Sequence, residues 1–424
     1  MKWRNRQAGA VLGRALHLLG KVTLTLVSLL AILLFVMAFR LSRGPIQVPY
    51  LASVLATAVS GQGIDIHVGR AALAWGGYET GGTAPLYLQL GQITARNATG
   101  VTLGEVKQAR LVFLPAALFG GRTPILVNST DAHLAGTSAA VSLRAGIRFS
   151  LGFQLAVAEL FITLGPGRID GVAVSGGAVS LRITPKAVAV DDGSLNLAPQ
   201  GGSAPVVTVS GAGARQGGSG WTGSLTIGMD RVQAGDLAAY WPVGLAAAAR
   251  GWVTKNITVG EAAKGRLVLQ LSAPANLSAL ALTGAGGGFA ASGLTVGWLP
   301  HAMPITGLNG TLTVQGLDQL LIQAPSASLG GLHLSDGRMT ISGLRAATQV
   351  STVSVAADGR LQDAIAVLNA KPLMLLAQAP AGVAQATGLV SARVQANLPL
   401  RTRLSLAEVV LAVTARLSQV AVPL

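Results

Sequence analysis

The feature that most constrains this chain is an uninterrupted apolar run, Val22 to Phe39, preceded by basic residues and followed to position 424 by glycine-punctuated sequence in which apolar and polar side chains alternate. Such a run at ~1.5 Å rise per residue spans roughly 27 Å, and the weakly interrupted stretch back to Leu16 extends it across a bilayer core of ~30 Å. Lys2, Arg4, Arg6, Arg14 and Lys21 precede the run with no acid among them. That bias places the N-terminus in the cytoplasm and exports everything beyond Phe39. A cleaved signal peptide is the competing reading. Its apolar region is ordinarily ~7 to 15 residues and ends at small residues, whereas this run is longer and continues into Phe39-Arg40-Leu41, with Val36-Met37-Ala38 as the candidate cleavage site.

The net charge of +15 invites a nucleic-acid reading, but seven of the 31 Lys and Arg lie in residues 1–43, and the rest stand singly against 16 acids. A nucleic-acid site needs clustered cations and stacking aromatics, and aromatics make up only 4% here. No nucleic-acid partner is expected. The absence of cysteine excludes disulfides, thiolate metal sites and cysteine nucleophiles. With 50% hydrophobic and 11% charged residues, the exported part carries less than half the charge of an ordinary soluble domain, ~25%. It either buries unusually much apolar surface or presents some of it to an apolar ligand.

Tyr50 to Ser60 has helical apolar spacing, stopped by Gly61 and Gly63. From Ile64 the period becomes two: Leu181 and Ile183, Leu225 and Ile227, Leu267 and Leu269, and Leu312 and Val314 each alternate with polar or small residues. Successive strand residues point to opposite faces, so these segments predict half-buried antiparallel strands with one apolar face. Gly120-Gly121, Gly176-Gly177, Asp192-Gly193, Gly330-Gly331, Asp336-Gly337 and Asp358-Gly359 are expected to turn hairpins, and Gly284 to Gly288 to form a loop. Glycines inside the strand patterns predict bulges and curl.

Asp236 to Asn256 breaks the alternation with a helical pattern kinked at Pro242, and Leu361 to Gln378 begins helical and meets Pro372. Short helical turns are also expected over Pro115 to Phe119 and Pro274 to Leu280. The predicted organisation is a basic N-terminus over 1–15, a transmembrane helix over 16–40 and a linker with a short helix over 41–63. A first β-groove segment over 64–235, a helical interruption over 236–256 and a second β-groove segment over 257–424 follow. The fold class is mainly β, a long curled antiparallel sheet with short helical interruptions.

A meander with one apolar face and little helix to cover it has three solutions. A sandwich and a barrel make the apolar residues core; an open curled sheet makes them a trough for lipid chains, each buried methylene contributing about 0.8 kcal/mol. Leu181, Ile183, Leu225, Ile227, Leu267, Leu269, Leu312 and Val314 are the candidate lining. Trp241, Trp252 and Trp298 have two readings, anchors packed beneath the helical interruption or gates along the apolar path.

Three stretches carry a resemblance to a known family: the basic N-terminus and anchor leading to Ile64-Asp-Ile-His-Val-Gly-Arg; Tyr240-Trp-Pro-Val-Gly-Leu with Ala249-Arg-Gly-Trp-Val and Gly260-Glu-Ala-Ala-Lys-Gly-Arg-Leu; and Leu294 to Leu312, a strand, a proline turn and a Gly-Leu-x-Gly-x-Leu return. The organisation resembles the AsmA-like proteins of Gram-negative envelopes, particularly the large YhdP-type members, and through them the bridge-like lipid transfer proteins. The resemblance implies an inner-membrane-anchored, periplasmic protein whose groove passes phospholipid towards the outer membrane, with phospholipids and other envelope proteins as partners. Members of this type are usually much longer, and this chain stops at Ala421-Val-Pro-Leu424 in mid-strand pattern, which reads as a truncation.

Catalytic and metal signatures are missing. His17, His67, His133, His301 and His333 never fall at metal-ligand spacing, and no Gly-x-Ser-x-Gly elbow or Gly-Lys-Ser/Thr phosphate loop occurs. Asp131 with His133 reads as a solvated strand pair, and Asp191-Asp192 as a turn. The expectation is a protein that is not an enzyme, with no cofactor and no metal; the rival to lipid transport is a tethered scaffold or assembly factor binding envelope components by its sheet edges.

Overall fold

The computed structural model describes residues 27–33, 35–59, 64–75, 86–97, 100–114, 125–149, 155–202, 204–217, 220–275, 279–400 and 408–422. The span expected over 16–40 lies partly outside them. Residues 27–33 and 35–42 are helical, with Val27, Leu30, Leu33, Phe35 and Val36 all exposed. Among the described residues no helix is long and apolar enough to cross a membrane. The turns expected at Pro115 to Phe119 and Gly120-Gly121 also lie outside the described residues.

The chain forms two compact units, residues 1–130 with 146–148, and residues 131–145 with 149–424. In the first, β1 (Ile46–Gln47), α1 (Pro49–Val59), β2 (Ile64–Trp75), β3 (Leu86–Asn97) and β4 (Thr102–Phe113) follow in order. The strands pair antiparallel with their sequence neighbours. The helix lies on their apolar side, where Ala52 is buried against Val68, Ala71, Leu90 and Ala109. β5 (Ile125–Leu134) and β6 (Val141–Phe149) continue the chain.

The second unit contains β7 (Leu155–Leu164), β8 (Gly167–Ile169), β9 (Val172–Ile183), β10 (Ala187–Leu197), β11 (Val206–Arg215) and β12 (Trp221–Gln233). Two short helices follow, α2 (Leu237–Tyr240) and α3 (Ala247–Asn256). Then come β13 (Ile257–Ala273), β14 (Ala281–Val296), β15 (Ile305–Gln315), β16 (Gln319–Leu329), β17 (Leu332–Ser342), β18 (Gln349–Arg360), α4 (Leu361–Asn369), β19 (Thr387–Leu400) and β20 (Val410–Ala421). Both β7 and β8 pair with β9, and from β9 onward every strand pairs antiparallel with its successor. The sheet is not closed: among the described residues β20 pairs with β19 alone.

The glycine pairs do other work than the sequence suggests. Gly330-Gly331 does connect two strands, but Gly176-Gly177, Asp192-Gly193, Asp336-Gly337 and Asp358-Gly359 lie within β9, β10, β17 and β18, and Gly284 to Gly288 lies within β14. Most of these are bulges. An extra residue in one strand shifts the register between Val190 and Asp192 and between Ser335 and Arg338, with Asp336 at φ 50°. Gly284 to Gly288 becomes strand because β13 and β15 pair with it on both sides, and tertiary ladders override a composition that by itself disfavours strand.

Antiparallel connections alternate between two rims. Among the described residues one rim carries all the helices of this unit, in the connections 234–256 and 361–386, with the loops 297–304 and 330–331; the other carries short turns such as 184–186 and 316–318. The buried clusters sit at the helical rim. Tyr240 of α2 packs on Val174, Leu197 and Val207, and Val367 of α4 on Leu332 and Val390.

Gly287 adopts φ +126°, and a Cβ there would fall on the Arg266 carbonyl, whereas one at Gly286 would meet nothing within 4 Å. Gly287→Ala is expected to lower stability by about 1–3 kcal/mol and Gly286→Ala to leave it nearly unchanged, read as urea midpoints of the two variants against the parent chain.

Candidate functional site

Cross-strand partners lie on the same face of a sheet, so the register identifies which residues the second unit gathers together. One row runs Leu181, Val190, Gly211, Leu225, Leu269, Ala285 across β9 to β14. The next runs Val209, Ile227, Leu267, Gly287, Val314, Leu320, Ile341 across β11 to β17. Leu312 joins the same face through Phe289, two residues from Gly287, and Ile183 through Val188. The register thus carries all eight candidate lining residues to one face. Its reverse is mostly hydroxyl and amide: Ser210 opposes Thr226, Thr222 opposes Ser272, and Ser224 opposes Gln270.

The bulges preserve this segregation. Val190 and Gly193 would point to opposite faces of a regular strand, being an odd number of residues apart. With the shift between them, Val190 opposes Leu181 and Gly193 opposes Val179, both on the apolar face. Asp191 is taken up by the bulge, where its carboxylate pairs with Arg182 at 2.8 Å. The Asp191-Asp192 pair therefore lies within a bulged strand and not in a turn.

Among the described residues the buried clusters of this unit lie near the helical rim. Leu181, Ile183, Leu225, Ile227, Leu267, Leu269, Leu312 and Val314 are all half-buried. A sandwich or a closed barrel would bury them. The largest fully buried side chains among the described residues are instead Val232, Pro205 and Ser351.

Two of the three stretches that carry the family resemblance build the helical rim. Arg250 of α3 donates to the carbonyls of Ala238 and Trp241 at 2.8 and 2.9 Å, tying α3 to α2. Asn309 accepts from the Gly293 N–H at 3.0 Å and donates to Gly307 O and Ser326 Oγ, satisfying backbone groups that the bulges of β14 and β15 take out of the ladder. None of the three tryptophans is buried. The Trp241 indole N–H donates to Leu245 O and that of Trp298 to Met303 O, both within the rim, and Trp252 is 49% exposed. Sequence reading missed Arg250 and Asn309 as individual determinants, since a guanidinium or amide that binds backbone carbonyls leaves no periodic signal.

Among the described residues no group of three His, Asp or Glu could hold a metal ion. His133 Nε2 lies 3.3 Å from Asp131 Oδ1, with both side chains nearly half exposed, as a solvated pair would be.

Arg250→Ala removes two charge-assisted hydrogen bonds. The expected result is a loss of about 1–3 kcal/mol confined to the rim, seen as faster hydrogen exchange in residues 237–256 with β16 to β18 unchanged.

No curated protein and no solved structure matches the chain. The family model described as YhdP protein matches residues 189–414, more than half of the chain and all but the first strands of the one-sided meander. The motif residues of the helical rim, the open antiparallel sheet and this match agree: the chain belongs to the YhdP family, one of the AsmA-like families.

Proposed function

We propose that this protein is tethered in the inner membrane by its N-terminal apolar segment and holds phospholipid acyl chains along the apolar face of its periplasmic β-meander, aiding lipid transport between inner and outer membranes. The observation that carries the reading is the half-buried apolar face running from β9 to β17, with no second layer over its middle among the described residues. Water against rows of Leu, Ile and Val is unfavourable by about 25 cal/mol per Å² of apolar surface, and an acyl chain lying on this face removes it without requiring a single polar contact. The exposed apolar helix residues from Val27 to Phe39 and the basic residues before them support the tether.

No chemical step is needed. Movement along such a face is diffusive, so direction comes from a lipid gradient or from partners. A second reading, the tethered scaffold, draws support from β20, whose residues are exposed along its whole length. An unpaired edge of that kind is a template for strand addition.

The test compares faces. The full chain purified in mild detergent is expected to carry phospholipid detectable by mass spectrometry. Leu269→Asp with Leu312→Asp is expected to deplete that lipid while the β-sheet circular dichroism persists, and Ser224→Asp on the reverse face to deplete nothing. A folded, lipid-free parent chain would overturn the conduit in favour of the scaffold.

A further inference from the structure

Above the apolar rows, at the rim of short turns, the same face ends in charge. Trp221 opposes Arg215, and Arg215 N–H donates to Lys186 O at 2.8 Å, which continues the register of Ala187 with Ala214 one residue further. Lys186, Arg215 and Trp221 thus form one cross-strand row. Arg215 and Trp221 lie two residues beyond Gly213 and Gly223, so alternation places both on the apolar face, and Lys186, in the turn 184–186, ends the same row.

Fold stability does not account for this row. Like charges directly opposed across strands are destabilising, yet Lys186 and Arg215 are both exposed and neither has an acidic partner among the described residues. Beside them the Trp221 indole N–H is buried and donates to nothing, a state that ordinarily costs about 1–3 kcal/mol. Two cations and an unused donor at the end of an apolar surface match one ligand chemistry, a phosphate monoanion attached to hydrocarbon. Rows are spaced ~6.7 Å along the strands, so a phosphate held here leaves the acyl chains over Val190, Leu225 and Leu269 and beyond.

We infer that Lys186, Arg215 and Trp221 form a headgroup station for the phosphodiester of an anionic phospholipid, orienting lipid with its head at the turn-bearing rim and its tails toward the helical rim. The inference rests on the acyl-groove reading above. It is tested on the full chain in mild detergent with a fluorescent-acyl phosphatidylglycerol and the diacylglycerol bearing the same chains. The parent is expected to bind phosphatidylglycerol about tenfold tighter or more, with the preference falling as salt rises. Lys186→Ala with Arg215→Ala is expected to erase the preference and leave diacylglycerol binding unchanged, and Trp221→Phe, which keeps the ring and removes the donor, to reduce it several-fold. Equal binding of both lipids by the parent, or a preference that survives the double substitution, would overturn the station and leave the groove standing. Full displacement of phosphatidylglycerol by excess inorganic phosphate would reassign the row to free anions, overturning the headgroup assignment, whereas failure of both lipids to bind would overturn the groove reading itself.

Discussion

Everything in the second unit depends on the cross-strand hydrogen-bond register, because that register alone decides which side chains share a face. A slip of one residue inverts a strand completely, moving its apolar set into the polar face. The chain holds the segregation across β9 to β17 through pairings such as Leu225 with Leu269 and Val314 with Leu320. It corrects phase with bulges where the alternation would drift, as at Val190 to Gly193. The bulge is therefore a device for phase and not a defect, and the Arg182–Asp191 ion pair sits where the extra residue must be accommodated.

The second organising element is asymmetry between the rims. Helices α2, α3 and α4 all lie in connections on the same side of the meander, and the clusters around Val174 and Val367 bury apolar side chains there. Among the described residues the opposite side carries short turns such as 184–186 and 316–318. Coverage that stops partway along each strand leaves a surface neither buried enough to be core nor wet enough to be ordinary exterior. Arg250 and Asn309 hold the covered side in place through bonds to backbone carbonyls and amides.

Much of this was legible in the residues. Period-two alternation at Leu181, Leu225, Leu267 and Leu312 identifies strands and their apolar sides, since the pleat imposes that period directly. Pro242 and Pro372 mark where helical pattern is interrupted, and α4 indeed ends at Asn369, before Pro372. What the residues did not disclose is pairing-dependent. Gly284 to Gly288 carries a single methyl, on Ala285, to express a preference, so its two neighbours make it strand. Asp336-Gly337 satisfies a turn and a bulge equally well, because Asp336 takes the left-handed backbone that either can use, and Asp192-Gly193 becomes part of a bulge only through its pairing with β9. The row of Lys186, Arg215 and Trp221 spans thirty-five positions and becomes a cluster only once β9 to β12 are laid side by side.

The sequential pairing from β9 to β20 has a consequence for how such a protein can change length. From β10 onward every strand pairs, among the described residues, only with its predecessor and successor, so inserting or deleting one hairpin disturbs two junctions and nothing distant. A two-strand unit returns the chain to the same rim and the same facial phase, extending the sheet by about 9.6 Å. A single-strand change would exchange the rims for everything downstream and strand the helices on the wrong side. Evolution of this architecture is thereby quantised in pairs, and the length of the apolar face becomes a matter of counting hairpins.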